Sequence, residues 1–209
     1  MNIYRTVQNE AFGELVERHS RFIGYIKPVE TENDAVSFIN KIKTKHWDAR
    51  HNVYAYSLLE NNVMRYSDDG EPHGTAGMPV LDILKKNELT NTVIVVTRYF
   101  GGILLGTGGL VRAYSAAAKL ALDNAGIVNI VNCFKMQLFC DYSLYGKVSS
   151  ILLGLGSKVE KSEFLDHVKI VFYIEKEKLN ILKNKLNDIS SGNITAEVLE
   201  EKYTSINLF

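Results

Sequence analysis

The sequence predicts an α+β protein in two unequal halves, and three observations point there. Residues 92–97 are an unbroken run rich in β-branched side chains, the pattern of a strand covered on both faces. Leu110 to Leu122 is apolar and alanine-rich and is followed by Gly126, the signature of a long buried helix with a glycine stop. From about residue 132 the runs follow the order β-α-β-β-α-β, the ferredoxin-like split unit.

The elements follow in chain order. Residues 11–29 give two β-rich runs around a polar turn, hence a hairpin. Thr31 stands three residues before Asp34, a capping spacing, and Ala35, Phe38, Ile39, Ile42 and His46 then recur at helical intervals. Residues 52–59 read as a strand and 61–75 as a polar loop. Pro79, Val80, Ile83 and Leu84 form a short helix that tolerates its proline only in the first turn. In the second half, a strand over 133–141 leads through Ser143, a capping residue, into a helix with Leu144, Val148, Ile151 and Leu155 on one stripe. Strands over 157–165 and 168–174 come next. A helix with Leu179, Leu182, Leu186 and Ile189 inward follows, then a strand over 194–203.

Composition narrows the function classes. At 209 residues, 46% hydrophobic and 23% charged, the chain can bury a sizeable core. It holds no apolar run long enough to span a membrane and no secretory start, so a cytoplasmic location is expected. Cys133 and Cys140 are seven apart in one expected strand and point to opposite faces, which makes them reduced packing residues. Charge balances in each half, fourteen basic against fourteen acidic to residue 130 and ten against ten after it. That balance argues against nucleic-acid binding by bulk charge. All seven arginines nevertheless lie before residue 113, so anion chemistry is expected in the first half.

Three segments carry candidate chemistry. The run from Arg98 through Arg112 places five glycines within nine residues, Gly101, Gly102, Gly106, Gly108 and Gly109, between a buried strand and a helix. Such density needs either an anion cradle at the helix start, flanked by Arg98 and Arg112, or tight strand-to-helix packing. It is neither the dinucleotide fingerprint nor a phosphate-binding loop ending in Gly-Lys-Ser/Thr. The second segment, Asp68-Asp69-Gly70-Glu71, crowds three carboxylates that need a cation, an arginine, amide donors or open water. An oxygen-rich loop suits magnesium, but the spacing is not that of an EF-hand. The alternative is a turn that caps the next helix. The third, Asp48-Ala49-Arg50-His51, places a histidine that is either a general base or a structural donor. No nucleophile elbow or Cys/His pairing accompanies it.

Together, Ser20-Arg21-Phe22, Asp48-Ala49-Arg50-His51, Tyr66-Ser67-Asp68-Asp69-Gly70-Glu71-Pro72 with Gly74-Thr75-Ala76-Gly77, and the run from Arg98 to Tyr114 resemble the IMPACT family, in its bacterial YigZ-like branch. The resemblance covers roughly residues 15–125. It implies a ribosomal protein S5 domain 2-like fold for residues 1–130 and a ferredoxin-like domain for residues 131–209. It also implies a role near translation, since eukaryotic members act in translational control and both implied folds also occur in elongation factor G, from which a ribosome or RNA role is inferred for the bacterial branch.

The expected function is therefore a non-enzymatic binding protein linked to translation, contacting RNA, the ribosome or a translation-associated protein, with no membrane partner. Its expected ligand-binding set is Arg50, His51, Asp68, Asp69, Gly70, Glu71, Arg98, Gly101, Gly102, Gly106, Gly108, Gly109 and Arg112. Tyr54, Tyr56 or Tyr99 would stack on bases. No catalytic residue and no cofactor are assigned, magnesium being the ion the acidic loop would suit. The alternative is a hydrolase-like enzyme acting on a small phosphate-bearing or peptide-like substrate through the acidic loop and the glycine turn.

Overall fold

The computed structural model describes residues 4–205, which form two compact units, one from Tyr4 to Val128 and one from Asn129 onward. The first contains β1 (Tyr4–Val7), β2 (Ala11–Glu17), β3 (Ser20–Pro28), α1 (Glu32–Lys45), β4 (His51–Leu58), β5 (Val63–Ser67), α2 (Gly77–Lys86), β6 (Thr92–Tyr99) and α3 (Gly106–Ala125). Its sheet runs β2-β3-β6-β4-β5 with every pair antiparallel. The β-branched run sits in the middle as β6 because both sheet faces are covered. Ile94 and Val96 pack with Tyr114, Ala117 and Ala121 of α3, while Val93 and Val95 pack with Phe38, Ile39 and Ile42 of α1. A strand so placed has no solvent face and therefore no polar alternation.

Local signals start and stop these elements. α1 opens with a full capping box, in which the Thr31 hydroxyl accepts from the Asp34 amide and the Asp34 carboxylate accepts from the Thr31 amide. α3 is rich in alanine because it lies close on the hairpin: a Cβ at Gly24 would stand 2.3 Å from the Ala117 carbonyl oxygen. Two boundaries differ from the sequence expectation. The segment read as a polar loop contains β5, an edge strand paired only with β4, whose side chains are mostly exposed and so carry no apolar alternation. α3 begins at Gly106 rather than Leu110, because three glycines of poor intrinsic helix propensity form its first turn.

The second unit holds all but the first two residues of β7 (Ile127–Cys140), which leads into α4 (Tyr142–Gly154), β8 (Lys158–Phe164), β9 (Val168–Glu175), α5 (Leu179–Ser190) and β10 (Ala196–Ser205). β7 pairs with β10 on one side and β9 on the other, and β9 pairs with β8, all antiparallel. Met136, Leu138, Phe172 and Ile174 form one core with Val148, Leu152, Leu182 and Leu186 of the two helices. Ser143 lies inside α4, and Asp141 occupies the cap position. Cys133 and Cys140 are both buried and free, and burial pushes both thiols up, Cys133 to about 11. Among the described residues no helix is long and apolar enough to cross a membrane.

Candidate functional site

The acidic loop links β5 to α2, and its three carboxylates take three separate partners. Asp68 turns toward α2 and accepts from the amides of Gly74 (2.9 Å), Ala76 (3.1 Å) and Gly77 (2.8 Å). It thereby satisfies donors that the first turn of a helix leaves open. Asp69, with φ 45°, accepts from the Asn52 amide at 2.7 Å and from Lys43 Nζ at 2.9 Å, and Gly70 continues the turn at φ 87°. Glu71 alone turns inward. Its side chain is 4% exposed and its Oε1 accepts from Arg98 at 2.6 Å and from the Tyr114 hydroxyl at 2.8 Å. The loop thus behaves as the capping turn that its composition allowed. Among the described residues no group of three or more His, Cys, Asp or Glu side chains gathers as a metal site.

Arg98, at the end of β6, is the second half of this arrangement. It is buried, and its guanidinium carbon stands 5.4 Å from the ring centroids of both Phe22 and Phe100. One terminal nitrogen meets Glu71 and the other donates to Ser20 Oγ at 3.4 Å, while its Nε has no hydrogen-bond partner among the described residues. Ser20 Oγ also accepts from the Gly101 amide, tying the β2–β3 turn to the glycine turn. Burial, together with the adjacent Glu71 charge, pushes the Tyr114 hydroxyl far above its ordinary value, so it stays protonated as a donor.

The glycines of the turn answer different local demands. Gly101 is a packing residue, since a Cβ there would stand 2.0 Å from the His19 carbonyl carbon. Gly102 and Gly106 adopt φ 84° and 70°, which side-chain-bearing residues rarely reach. Gly106, Gly108 and Gly109 then form the first turn of α3. The cap position there is Leu105, whose side chain accepts no hydrogen bond, and the turn holds no acidic residue. The leading amides of a 20-residue helix are left without a side-chain acceptor.

These amides border a cavity of about 550 Å³. Of the residues singled out from sequence, Arg50, His51, Glu71, Arg98 and Gly106 line it. Asp68, Asp69 and Gly70 shape the loop behind it, and Gly101, Gly102, Gly108, Gly109 and Arg112 do not line it. Arg50 is exposed and its side chain has no ion-pair partner among the described residues. His51 Nδ1 lies 2.7 Å from the Asp69 carbonyl oxygen. A carbonyl only accepts, so Nδ1 carries a proton, and Nε2 lies 3.7 Å from Glu71.

Sequence reasoning missed the apolar part of the wall, Pro72, Phe100, Leu104, Leu105 and Leu110, and also Thr107. It also missed Tyr114, although a tyrosine among alanines on a buried helix was a visible signal. The three tyrosines expected to stack on bases lie across the sheet from the cavity. Tyr54 and Tyr56 stack on each other, with centroids 6.3 Å apart. The Tyr56 hydroxyl donates to Glu32 and is pushed up to about 12, by burial first and Glu32 second. Tyr99 donates to Asp48 at 3.0 Å and shares His46 with Tyr25, which stands 2.7 Å from the other ring nitrogen.

Comparison with known proteins places this geometry in a family context. Residues 18–122 match the Impact N-terminal domain, and residues 138–193 match a domain of unknown function, DUF1949. The chain is 38% identical to the IMPACT family member YvyE of Bacillus subtilis, over 92% of this chain and 89% of that one. It is 32% identical to the IMPACT family member YigZ of Escherichia coli, over 88% and 92% respectively. Protein IMPACT of Danio rerio is 35% identical over 44% of this chain and 30% of its own. A crystal structure of a hypothetical protein, 29% identical, superposes with a TM-score of 0.61 over 97% of this chain and all of that one, 100%.

Proposed function

The chain belongs to the IMPACT family, and on that premise we propose that it is a non-enzymatic binding protein acting near translation in the cytoplasm, meeting RNA through its first unit. The observation that carries this reading is the cavity that Arg50, Arg98 and the uncapped start of α3 line together. Backbone amides at a helix start and an arginine fork are the donors that phosphate oxygens take. A ribosome-associated protein would be met through the same surface.

The hydrolase-like reading is less well supported because each carboxylate of the acidic loop already has structural partners. A general base or a metal ligand drawn from them would first have to give up those bonds. The domains we assign are residues 1–130, of the ribosomal protein S5 domain 2 type, and residues 131–209, of the ferredoxin-like type. The strand order β10-β7-β9-β8, with helices after its first and third strands in sequence, supports the second assignment.

Titration of a fluorescent single-stranded RNA with the full chain tests the reading. Saturable binding is expected, and Arg50→Ala should weaken it by about tenfold, the worth of one charge-assisted contact. RNA that fails to saturate the wild-type protein, or that binds Arg50→Ala equally well, rejects it.

A further inference from the structure

The cavity at the start of α3 offers three kinds of contact at once. Its anion end is built from the amides of Gly106 and Thr107 and from the free guanidinium of Arg50. Arg98 is the independent sign that something polar belongs there. It is 5% exposed and lines the cavity, and its Nε is a buried donor with no acceptor among the described residues. Such donors are rarely left open in a folded chain. Glu71 already offsets the Arg98 charge, so the uncompensated positive charge of the pocket comes from Arg50 and the helix start. The second contact is apolar, a wall containing Phe100 and Leu104 that suits the face of a flat ring. The third is the His51 imidazole, whose Nδ1 is held by the Asp69 carbonyl while its Nε2 stands 3.7 Å from Glu71, beyond hydrogen-bond distance.

An anion with three or more acceptor oxygens, a flat partly apolar ring and a hydroxyl that can hydrogen-bond an imidazole are the parts of a ribonucleotide. The volume of about 550 Å³ accommodates one such unit and falls within the usual range for small-ligand sites. We propose that this cavity binds a single ribonucleoside phosphate, with its phosphate at the α3 amides and Arg50, its base against Phe100 and Leu104, and its ribose 2′-hydroxyl hydrogen-bonded to His51. The nucleotide is either free or the phosphorylated end of an RNA. This inference rests on reading the cavity as the binding site of the first unit, and it adds that recognition is of one nucleotide rather than of a strand backbone.

Calorimetric titration of the full chain with adenosine 5′-monophosphate tests it, beside adenosine, inorganic phosphate and 2′-deoxyadenosine 5′-monophosphate. The ribonucleotide should bind about tenfold or more tightly than each of the other three, since each lacks at least one contact. Thr107→Asp is the informative variant. Thr107 is exposed and lines the cavity in the first turn of α3, so a carboxylate there occupies the helix start. This variant should melt at an equal or higher temperature, through the helix dipole, yet lose the nucleotide. Equal binding of adenosine or the deoxynucleotide, or unaltered binding by Thr107→Asp, overturns the proposal. A short RNA with a 5′-phosphate that outcompetes both its 5′-hydroxyl form and the mononucleotide identifies the RNA end as the source, whereas a mononucleotide that outcompetes both identifies the free form. RNA binding without mononucleotide binding rejects this inference and leaves the RNA reading standing. Mononucleotide binding without RNA binding rejects the RNA reading alone.

Discussion

Glu71 and Arg98 show how much one buried pair decides. Their side chains are 4% and 6% exposed, and each would be strongly disfavoured alone in that environment. Glu71→Gln leaves the guanidinium buried without its counter-charge and is expected to destabilise the first unit by about 3–5 kcal/mol. Urea unfolding measures this, and a loss below about 1 kcal/mol would mean that the pair is solvated rather than buried. The acidic loop and the arginine were both visible in the chain as candidate chemistry. That one carboxylate of three reaches the arginine, while its neighbours hold amides and a lysine, was not visible. Asp68, Asp69 and Glu71 are chemically alike, and the direction in which each points is set by the turn at Asp69 and Gly70.

Caps and glycines govern the elements around the cavity. Asp68 reaches from outside α2 to hold three amides at its start, a duty that Ala76 at the cap position cannot perform. Asp68→Ala is expected to lower stability by about 1–2 kcal/mol, with faster hydrogen exchange at the amides of Ala76 and Gly77. Unchanged protection there would show that other groups cap α2. The Thr31–Asp34 box was legible because both partners lie within one turn of chain. β5 was not, because an exposed edge strand shows no apolar alternation, and the start of α3 was hidden by residues that resist helix formation when isolated. The packing of α3 against β3 overrides that resistance, and its glycine-rich first turn leaves the cavity open.

Across the whole chain, charge is balanced in each half, so any affinity for RNA comes from a local group of donors rather than a general field. The logarithm of the RNA affinity should therefore fall with the logarithm of salt at a slope of about −1 to −2, as for two or so phosphates neutralised on a single strand. Titrations over a range of potassium chloride measure it, and a slope steeper than about −4 would locate binding on another, more basic surface. Periodicity along the chain was enough to place the α1 stripe, the doubly covered β6 and the β-α-β-β-α-β order of the second half. Each of these depends on which side chains bury beside their near neighbours, and such neighbours are printed in order. The hollow is different. Arg50, Glu71, Arg98 and Gly106 lie on separate segments, and their convergence depends on how β4, β6, the acidic loop and α3 pack in space. Burial patterns constrain which face of an element turns inward, but they do not assign partners to polar groups that meet across the fold.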